Sequence, residues 1–266
     1  MNKMQMALRE LSEMDSMAAQ RSPVHELHPA VKLITTVCYI LIVVSFHKYD
    51  LSGLAPLVLW PVFLFQLSGI PVSTCFYKLR IVLPLVLAVG LFNPLFDHRV
   101  LFTMGTVPVW GGVISMITLM MKGTFCLMAS FLLVATTPVD SLCGALRNMH
   151  FPGMLVTLFL LTYRYVGVLT EELAIMTDAY HLRAPGQKGI HVSAWGSFLG
   201  QLLLRSMDRA QELYASMQLR GYHEHFHYAP LRKIEKKDIL YLVICVLIFL
   251  LLRSVPVVRV LGSLAA

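Results

Sequence analysis

Charge is what this 266-residue chain has least of. Asp, Glu, Lys and Arg make up 14% of it, where soluble domains run nearer a quarter. Other absences narrow the chemistry. No glycine-rich phosphate loop of the Walker type occurs, so any ATP used with this chain is hydrolysed by another polypeptide. No cluster of aspartates stands at a helix end, which argues against the metal–diphosphate chemistry of a membrane prenyltransferase. The five cysteines, Cys38, Cys75, Cys126, Cys143 and Cys245, form no C-x-x-C pair and fall mostly in apolar runs. Neither a disulfide framework nor a thiolate metal site is expected. Residues 1–29 lack the basic-then-apolar order of a signal peptide. Instead Met4, Ala7, Leu8, Leu11, Met14 and Ala18 recur at helical spacing opposite Arg9, Glu10 and Glu13, the pattern of a helix lying in a membrane interface.

What the chain has instead is apolar length. Hydrophobic residues reach 57% and the mean hydropathy is +0.68. Apolar stretches fall at 31–46, 51–69, 81–96, 113–135 and 239–252. Each approaches the roughly 20 residues that cross a ~30 Å hydrocarbon layer. Backbone polar groups cannot face lipid unpaired, so these stretches must be helices. The expected fold is an all-α integral membrane protein of about five transmembrane helices plus two long cytoplasmic helices. Its expected parts are a bundle over 1–150, a cytoplasmic helical domain over 151–237 and a final span over 238–266.

The placement of the net charge of +7 orients the chain. Arg205, Arg209, Arg220, Arg232, Lys233, Lys236 and Lys237 crowd the region before the last apolar run, as cytoplasmic segments do. Asp208, Glu212, Glu224, Glu235 and Asp238 are interleaved with them, which argues against a nucleic-acid surface. The apolar segment 151–170 could be a sixth span. If it crossed, Lys78 and Arg80 would face one side and the basic region after Arg183 the other. If it does not, the N-terminus, Lys78, Arg80, Arg147 and residues 183–237 all lie inside, so five spans are expected.

Helical pattern runs unbroken from Pro152 to Arg183, with Thr157, Arg164, Glu171 and Asp178 seven apart, and Pro185-Gly186 ends it. A second amphipathic helix covers 193–219. Trp195, Phe198, Leu199, Leu202, Leu213, Tyr214 and Met217 mark its apolar face, and Gln201, Arg205, Asp208, Arg209 and Glu212 the other. Gly221 supplies its stop. Both helices end in one phrase: Ala179-Tyr180-His181-Leu182-Arg183-Ala184, then Ser216-Met217-Gln218-Leu219-Arg220-Gly221. A single arginine at a helix C-terminus merely complements the helix dipole. Two in matching phrases, flanked by small residues, suit a rigid donor fork offered to carboxylates on two partners or one dimer.

His223, His225 and His227 alternate, so an extended segment would align three imidazoles for Ni, Co, Cu or Zn. They follow the helix stop with no carboxylate or thiolate placed to complete a shell. They read as a polar loop, and no metal site is expected beyond these three candidates. His25 and His28 frame Pro29 as hydrogen-bonded turn residues. Pro84 and Asn93-Pro94 interrupt the third apolar run. A self-contained secondary transporter would want ionisable groups inside its spans, and Lys122 is almost alone there.

Two stretches carry a family resemblance. "MDSMAAQRSPVHELHPAVKL" places Asp15, Ala18, Ser22, His25, Pro29 and Lys32, and "TTPVDSLCGALRNMHFPGMLVTLFLLTYRYVGVLTEELAIMTDAYHLRA" places Thr136-Thr137-Pro138, Leu142, Ala145-Leu146, Pro152, Arg164-Tyr165 and Glu172. From Asp15 to Tyr222 the chain resembles the transmembrane T component of energy-coupling factor (ECF) transporters, of the CbiQ type found in cobalt importers. It departs from the usual Ala-x-x-x-Arg-Gly phrases by Ala184-Pro185 after the first arginine and Ser216 opening the second. The resemblance implies a non-catalytic subunit of an ABC-type importer in a bacterial or archaeal plasma membrane, with its N-terminus and coupling helices cytoplasmic. Ala179, Leu182, Arg183 and Ala184, with Ser216, Leu219, Arg220 and Gly221, would engage two ATPases, and Arg164, Glu171, Glu172 and Asp178 would support the coupling helices. ATP and Mg would be bound by those ATPases, with no cofactor in this chain. Substrate would be held by a CbiM-like S component, with or without a CbiN-like small subunit. Cobalt is the expected cargo, nickel or a vitamin the alternatives.

Overall fold

The computed structural model describes residues 3–80, 82–96, 100–104, 107–186, 189–222 and 232–254. It is all-α apart from one short hairpin. Helix α1 (Lys3–Ala18) is followed by α2 (Pro29–Ser45), which opens with proline in its first turn and the His28 ring accepting a hydrogen bond from the Ala30 amide at 3.2 Å. Helix α3 (Leu51–Leu54), a 3-10 turn (Ala55–Val58) and α4 (Leu59–Ser68) make one 18-residue apolar run, capped by Asp50 and stopped at Gly69 with φ 71°. Helices α5 (Val72–Leu79) and α6 (Leu83–Phe96) meet at 72°. Pro84, expected to interrupt the run, lies instead in the first turn of α6, where its missing N–H would be unpaired anyway. Pro94 falls near the other end.

Between α6 and α7 (Gly111–Thr136) the strands β1 (Val100–Met104) and β2 (Val107–Trp110) pair antiparallel, with a register shift between Val100 and Phe102. No strand is expected here from hydrophobic periodicity. Val100, Phe102, Thr103, Val107, Val109 and Trp110 are β-branched or aromatic, and the segment is too short for a helix of its own. Helices α8 (Val139–Asn148), α9 (Gly153–Arg183), α10 (Trp195–Leu219) and α11 (Lys236–Ser254) complete the chain.

Among the described residues three helical runs are long and apolar enough to cross a bilayer, Leu51–Ser68, Gly111–Thr136 and Gly153–Arg183, with the bent α5–α6 pair as a fourth. The five expected runs all lie on helices, but two differ in character. Helix α2 is 17 residues long, and α11 carries Lys236, Lys237, Asp238 and Arg253 at its ends. The 31-residue α9, not expected to count as a span, meets the length and hydropathy condition because its charges concentrate in its second half.

The described residues divide into two compact units, one from Met1–Ser16 and Val139–Leu231, the other from Met17–Pro138 and Arg232–Ala266. The second holds the larger core. Tyr39, Val43, Phe46, Leu54, Leu57, Phe125, Ala129, Cys245 and Phe249 are buried together. The Tyr39 ring stacks on Trp60 at 4.5 Å and its hydroxyl donates to the Leu57 carbonyl at 3.0 Å, so that buried hydroxyl is satisfied, while the buried Trp60 indole N–H has no hydrogen-bond partner among the described residues.

Both ends of α2 are tied by ionic groups. At its start the Lys32 ammonium, buried, donates to the carbonyls of His25 (3.1 Å) and Thr136 (2.8 Å). The buried Asp238 carboxylate accepts from the His28 amide at 3.2 Å and the Glu235 amide at 3.0 Å. At its end Lys122 donates to the Val44 and Phe46 carbonyls, and Arg253 to the Ser45 carbonyl at 3.2 Å, with its guanidinium 4.5 Å over the Phe46 ring. These cations meet carbonyls that a helix leaves unpaired at its C-terminus. Lys122 is therefore not almost alone as an ionisable group in the apolar runs; Lys32 is a second, and both are fastened to backbone.

Helices α6 and α7 lie close together because each turns a glycine toward the other, Gly90 from α6 and Gly123 from α7. A Cβ on Gly123 would stand 2.5 Å from Val86 Cγ1, and one on Gly90 3.2 Å from Met120 Cγ. Val86 is β-branched and stiff, so it cannot swing aside. Gly123→Ala should cost about 1–3 kcal/mol by overpacking, read as a lower thermal unfolding midpoint in detergent, whereas Gly196→Ala, which meets nothing within 4 Å, should not.

Candidate functional site

The first unit is built on α9 and α10. Helix α9 starts after Pro152 and runs 31 residues, about 46 Å at 1.5 Å per residue. The Tyr163 hydroxyl donates to Asp15 on α1 at 2.8 Å. Near its start Cys143, Val156 and Leu160 form a small core with Val139 and Leu146 of α8. Beyond that α9 is thinly covered, and on α10 Phe198 is the one buried residue.

The helix ends carry the paired phrases, and they stop differently. In α9 the Ala184 amide still bonds the Tyr180 carbonyl at 3.0 Å, after which Pro185 ends the helix and Gly186 turns at φ 91°. In α10 Gly221 adopts φ 85°, its amide bonds Gln218 O at 2.9 Å and the Tyr222 amide bonds Met217 O at 3.0 Å. That pair of bonds is the Schellman stop expected of Gly221. The consequence at both ends is exposure. Leu182 is 84% and Leu219 90% exposed. Arg183 and Arg220 are exposed, and neither guanidinium has a hydrogen-bond or ion-pair partner among the described residues. Ala179, Ala184 and Ser216 are half-buried beside them, and the Ser216 hydroxyl turns back to the Leu213 carbonyl at 2.7 Å. Arg220 lies about 37 Å along α10 from its first residue, the length of 25 helical residues.

The supporting residues separate. Glu172 reaches Arg205 of α10 in an ion pair, whose side chains are 24% and 51% exposed. Arg164, Glu171 and Asp178 are exposed on α9. The seven-residue stripe is not uniformly wet, since Thr157 at its start is buried and bonds the Gly153 carbonyl at 2.9 Å. A period of seven drifts about 20° per step around a helix, which carries the stripe off the exposed face. Periodicity puts Arg205 on the polar face of α10, but its partner depends on how α9 and α10 meet, which periodicity does not encode.

Beside that ion pair the two helices enclose an apolar groove of about 450 Å³, lined by Leu161, Tyr165, Leu169, Leu213, Tyr214 and Met217 among others. Outside it Ile175, Leu199, Leu203, Leu204 and Met207 are each more than half exposed. Trp195, expected on the apolar face, is 45% exposed, and Phe198 packs against it with rings 6.2 Å apart. So much uncovered apolar surface suits contact with lipid or protein rather than water. No group of three or more His, Cys, Asp or Glu is placed to hold a metal among the described residues, and His223, His225 and His227 lie outside them.

Residues 20–228 match the family described as CbiQ, cobalt transport protein. The chain belongs to the CbiQ family. The energy-coupling factor transporter transmembrane protein EcfT of Bacillus subtilis is 27% identical over 216 residues, 76% of this chain and 81% of that one. The cobalt transport protein CbiQ of Rhodobacter capsulatus is 36% identical over 93 residues, 34% of this chain and 37% of its own. The nickel permease LarQ of Lactiplantibacillus plantarum is 28% identical over 116 residues, 44% of this chain and 42% of its own. The chain thus spans only about two-fifths of the LarQ and CbiQ relatives. Within the CbiQ family frame, both arginine phrases fall inside the matched residues.

The α9–α10 ion pair is testable by itself. Glu172→Arg should set two guanidiniums together and lengthen the distance between spin labels at Ile175 and Leu203. Adding Arg205→Glu should restore it. Thermal stability should move by no more than about 1 kcal/mol, since the pair is partly exposed.

Proposed function

We propose that this chain is the transmembrane coupling subunit, the T component, of an energy-coupling factor importer. The observation that carries the reading is the pair of exposed arginine tips, Arg183 and Arg220, at the ends of two long helices with uncovered apolar faces in a CbiQ-family chain. Each guanidinium offers a planar fork of donors that fits a carboxylate-lined groove. The exposed Leu182 and Leu219 beside them would seat in apolar contact with the same partners. Two tips suit two ABC-type ATPase subunits, which would bind ATP and Mg and perform the hydrolysis. A membrane S component would lie against the uncovered apolar faces and hold the substrate, so this chain is not itself catalytic.

Cobalt is the cargo we favour, in keeping with the family description, and the nickel permease relative keeps nickel as the second reading. Both assign metal recognition to another polypeptide. We place the protein in a bacterial or archaeal plasma membrane with its N-terminus, α9 and α10 tips on the cytoplasmic side, where the Lys and Arg excess of residues 183–237 would lie. A self-contained secondary transporter is less well supported, because Lys32 and Lys122 are both occupied by backbone carbonyls and so are poor ion carriers.

The test is charge reversal with two readouts. Arg183→Glu and Arg220→Glu should each lower uptake of labelled cobalt or nickel, and the double variant should lower it at least about tenfold, matching loss of a charged hydrogen-bonded contact at each tip. The same double variant should fail to retain ATPases in a gentle detergent pull-down while its thermal unfolding stays that of the wild type. Wild-type uptake and ATPase retention in the double variant would overturn the assignment.

A further inference from the structure

The chain passes between its two compact units at three places, after Ser16, after Pro138 and after Leu231. In each case the neighbouring residue inside the second unit is tied to one short stretch, residues 25–32. The Met17 carbonyl, the first residue of that unit, accepts from the His25 ring Nε2 at 3.1 Å. The Thr136 carbonyl, two residues before Pro138, accepts from Lys32 at 2.8 Å. Arg232, the first residue after the third passage, donates to the Glu26 carbonyl at 3.0 Å, pairs with Glu235 at 2.7 Å and approaches Asp238. Asp238 in turn holds the His28 amide.

The stretch is built to be stiff. Lys32 closes it by bonding the His25 carbonyl at 3.1 Å, and Pro29 fixes the entry into α2. Ser22 Oγ lies 2.7 Å from His25 Nδ1, so Nδ1 accepts and Nε2–H donates to Met17. Burial holds the His25 imidazole below its usual range, and nearby Lys32 acts in the same direction, which keeps that neutral arrangement at physiological pH. Lys32 and Asp238 are both nearly inaccessible, and a buried cation and anion fastened to backbone amides and carbonyls are costly to separate.

We propose that residues 25–32 are the mechanical anchor of the molecule, one stiff stretch to which all three connections between the units are fastened, so that force on the α9–α10 unit enters the membrane core there. The transmission role rests on the coupling reading above; the anchoring does not, and is measured without ATPases or substrate. The segment therefore acts through the residues it positions and touches no substrate.

Spin labels carried by an unnatural amino acid would replace Leu182 in the first unit and Leu41 in the second, both exposed, in the full chain in lipid nanodiscs. A reference pair would replace Leu41 and Leu247, both within the second unit. Arg232→Ala removes the third tie at a residue 45% exposed, so the fold should survive it, and Lys32→Met removes the second. The expected result is a broader Leu182–Leu41 distance distribution in both variants, about twofold in width as one tie of three is released, with the reference pair unchanged. An unchanged first distribution would sink the proposal, and so would equal broadening of both pairs, which would make the stretch ordinary core support. Loss of metal uptake per ATP hydrolysed in Arg232→Ala, with the ATPases still bound, would extend the anchor to coupling; failure of the wild type to bind ATPases would count against the coupling reading alone.

Discussion

The need to satisfy every backbone carbonyl away from water governs the membrane half of this protein. Helix α2 is short for a span, and its last carbonyls would be left facing an apolar surround. Lys122 from α7 and Arg253 from α11 reach them, while Lys32 and Asp238 do equivalent work at the other end. These contacts set the neighbours of α2. Lys32 meets residue 136 and Lys122 meets residues 44–46, so α7 runs antiparallel to α2. Asp238 meets residue 28 and Arg253 meets residue 45, so α11 runs parallel to it. Ionic groups that would be liabilities in lipid become the registry marks of a three-helix core whose middle is filled by Tyr39, Trp60 and Phe249.

The other unit has the smaller buried core. Its helices are long, regular and well terminated, yet α10 buries little besides Phe198. A soluble protein with Leu182, Leu199, Leu203, Leu204, Met207 and Leu219 so exposed would aggregate. A subunit whose surfaces are completed by lipid and by other chains has no such difficulty. The second unit has the larger core, yet Leu41, Leu59, Phe63, Leu85, Leu247 and Leu251 are exposed on it as well, so both units present apolar surface to lipid or protein.

Much of this was legible from residue order. Helix positions followed from apolar length, and the ends of α9 and α10 from Pro152, Pro185-Gly186 and Gly221, because proline and glycine act on backbone torsions locally. The pairing of two Leu-Arg phrases needed only the sequence. What escaped depends on contacts between residues far apart. Asp238 looked like one acid interleaved in a basic segment, yet it is among the most buried residues and closes onto His28, 210 positions away. The union of Glu172 with Arg205, the 72° bend between α5 and α6 and the β1–β2 hairpin are likewise set by packing, to which hydrophobic periodicity is blind.

The Glu172–Arg205 contact divides α9 unequally. From Glu172 to Arg183 is 11 residues, and from Gly153 to Glu172 is 19, or about 17 Å and about 28 Å of stiff helix. A rod pivoting at that point has a mechanical advantage below one measured from its arginine end: small travel at the tip becomes a sweep larger by a factor of about 1.7 at the base, delivered with proportionally less force. Such gearing favours amplitude over strength.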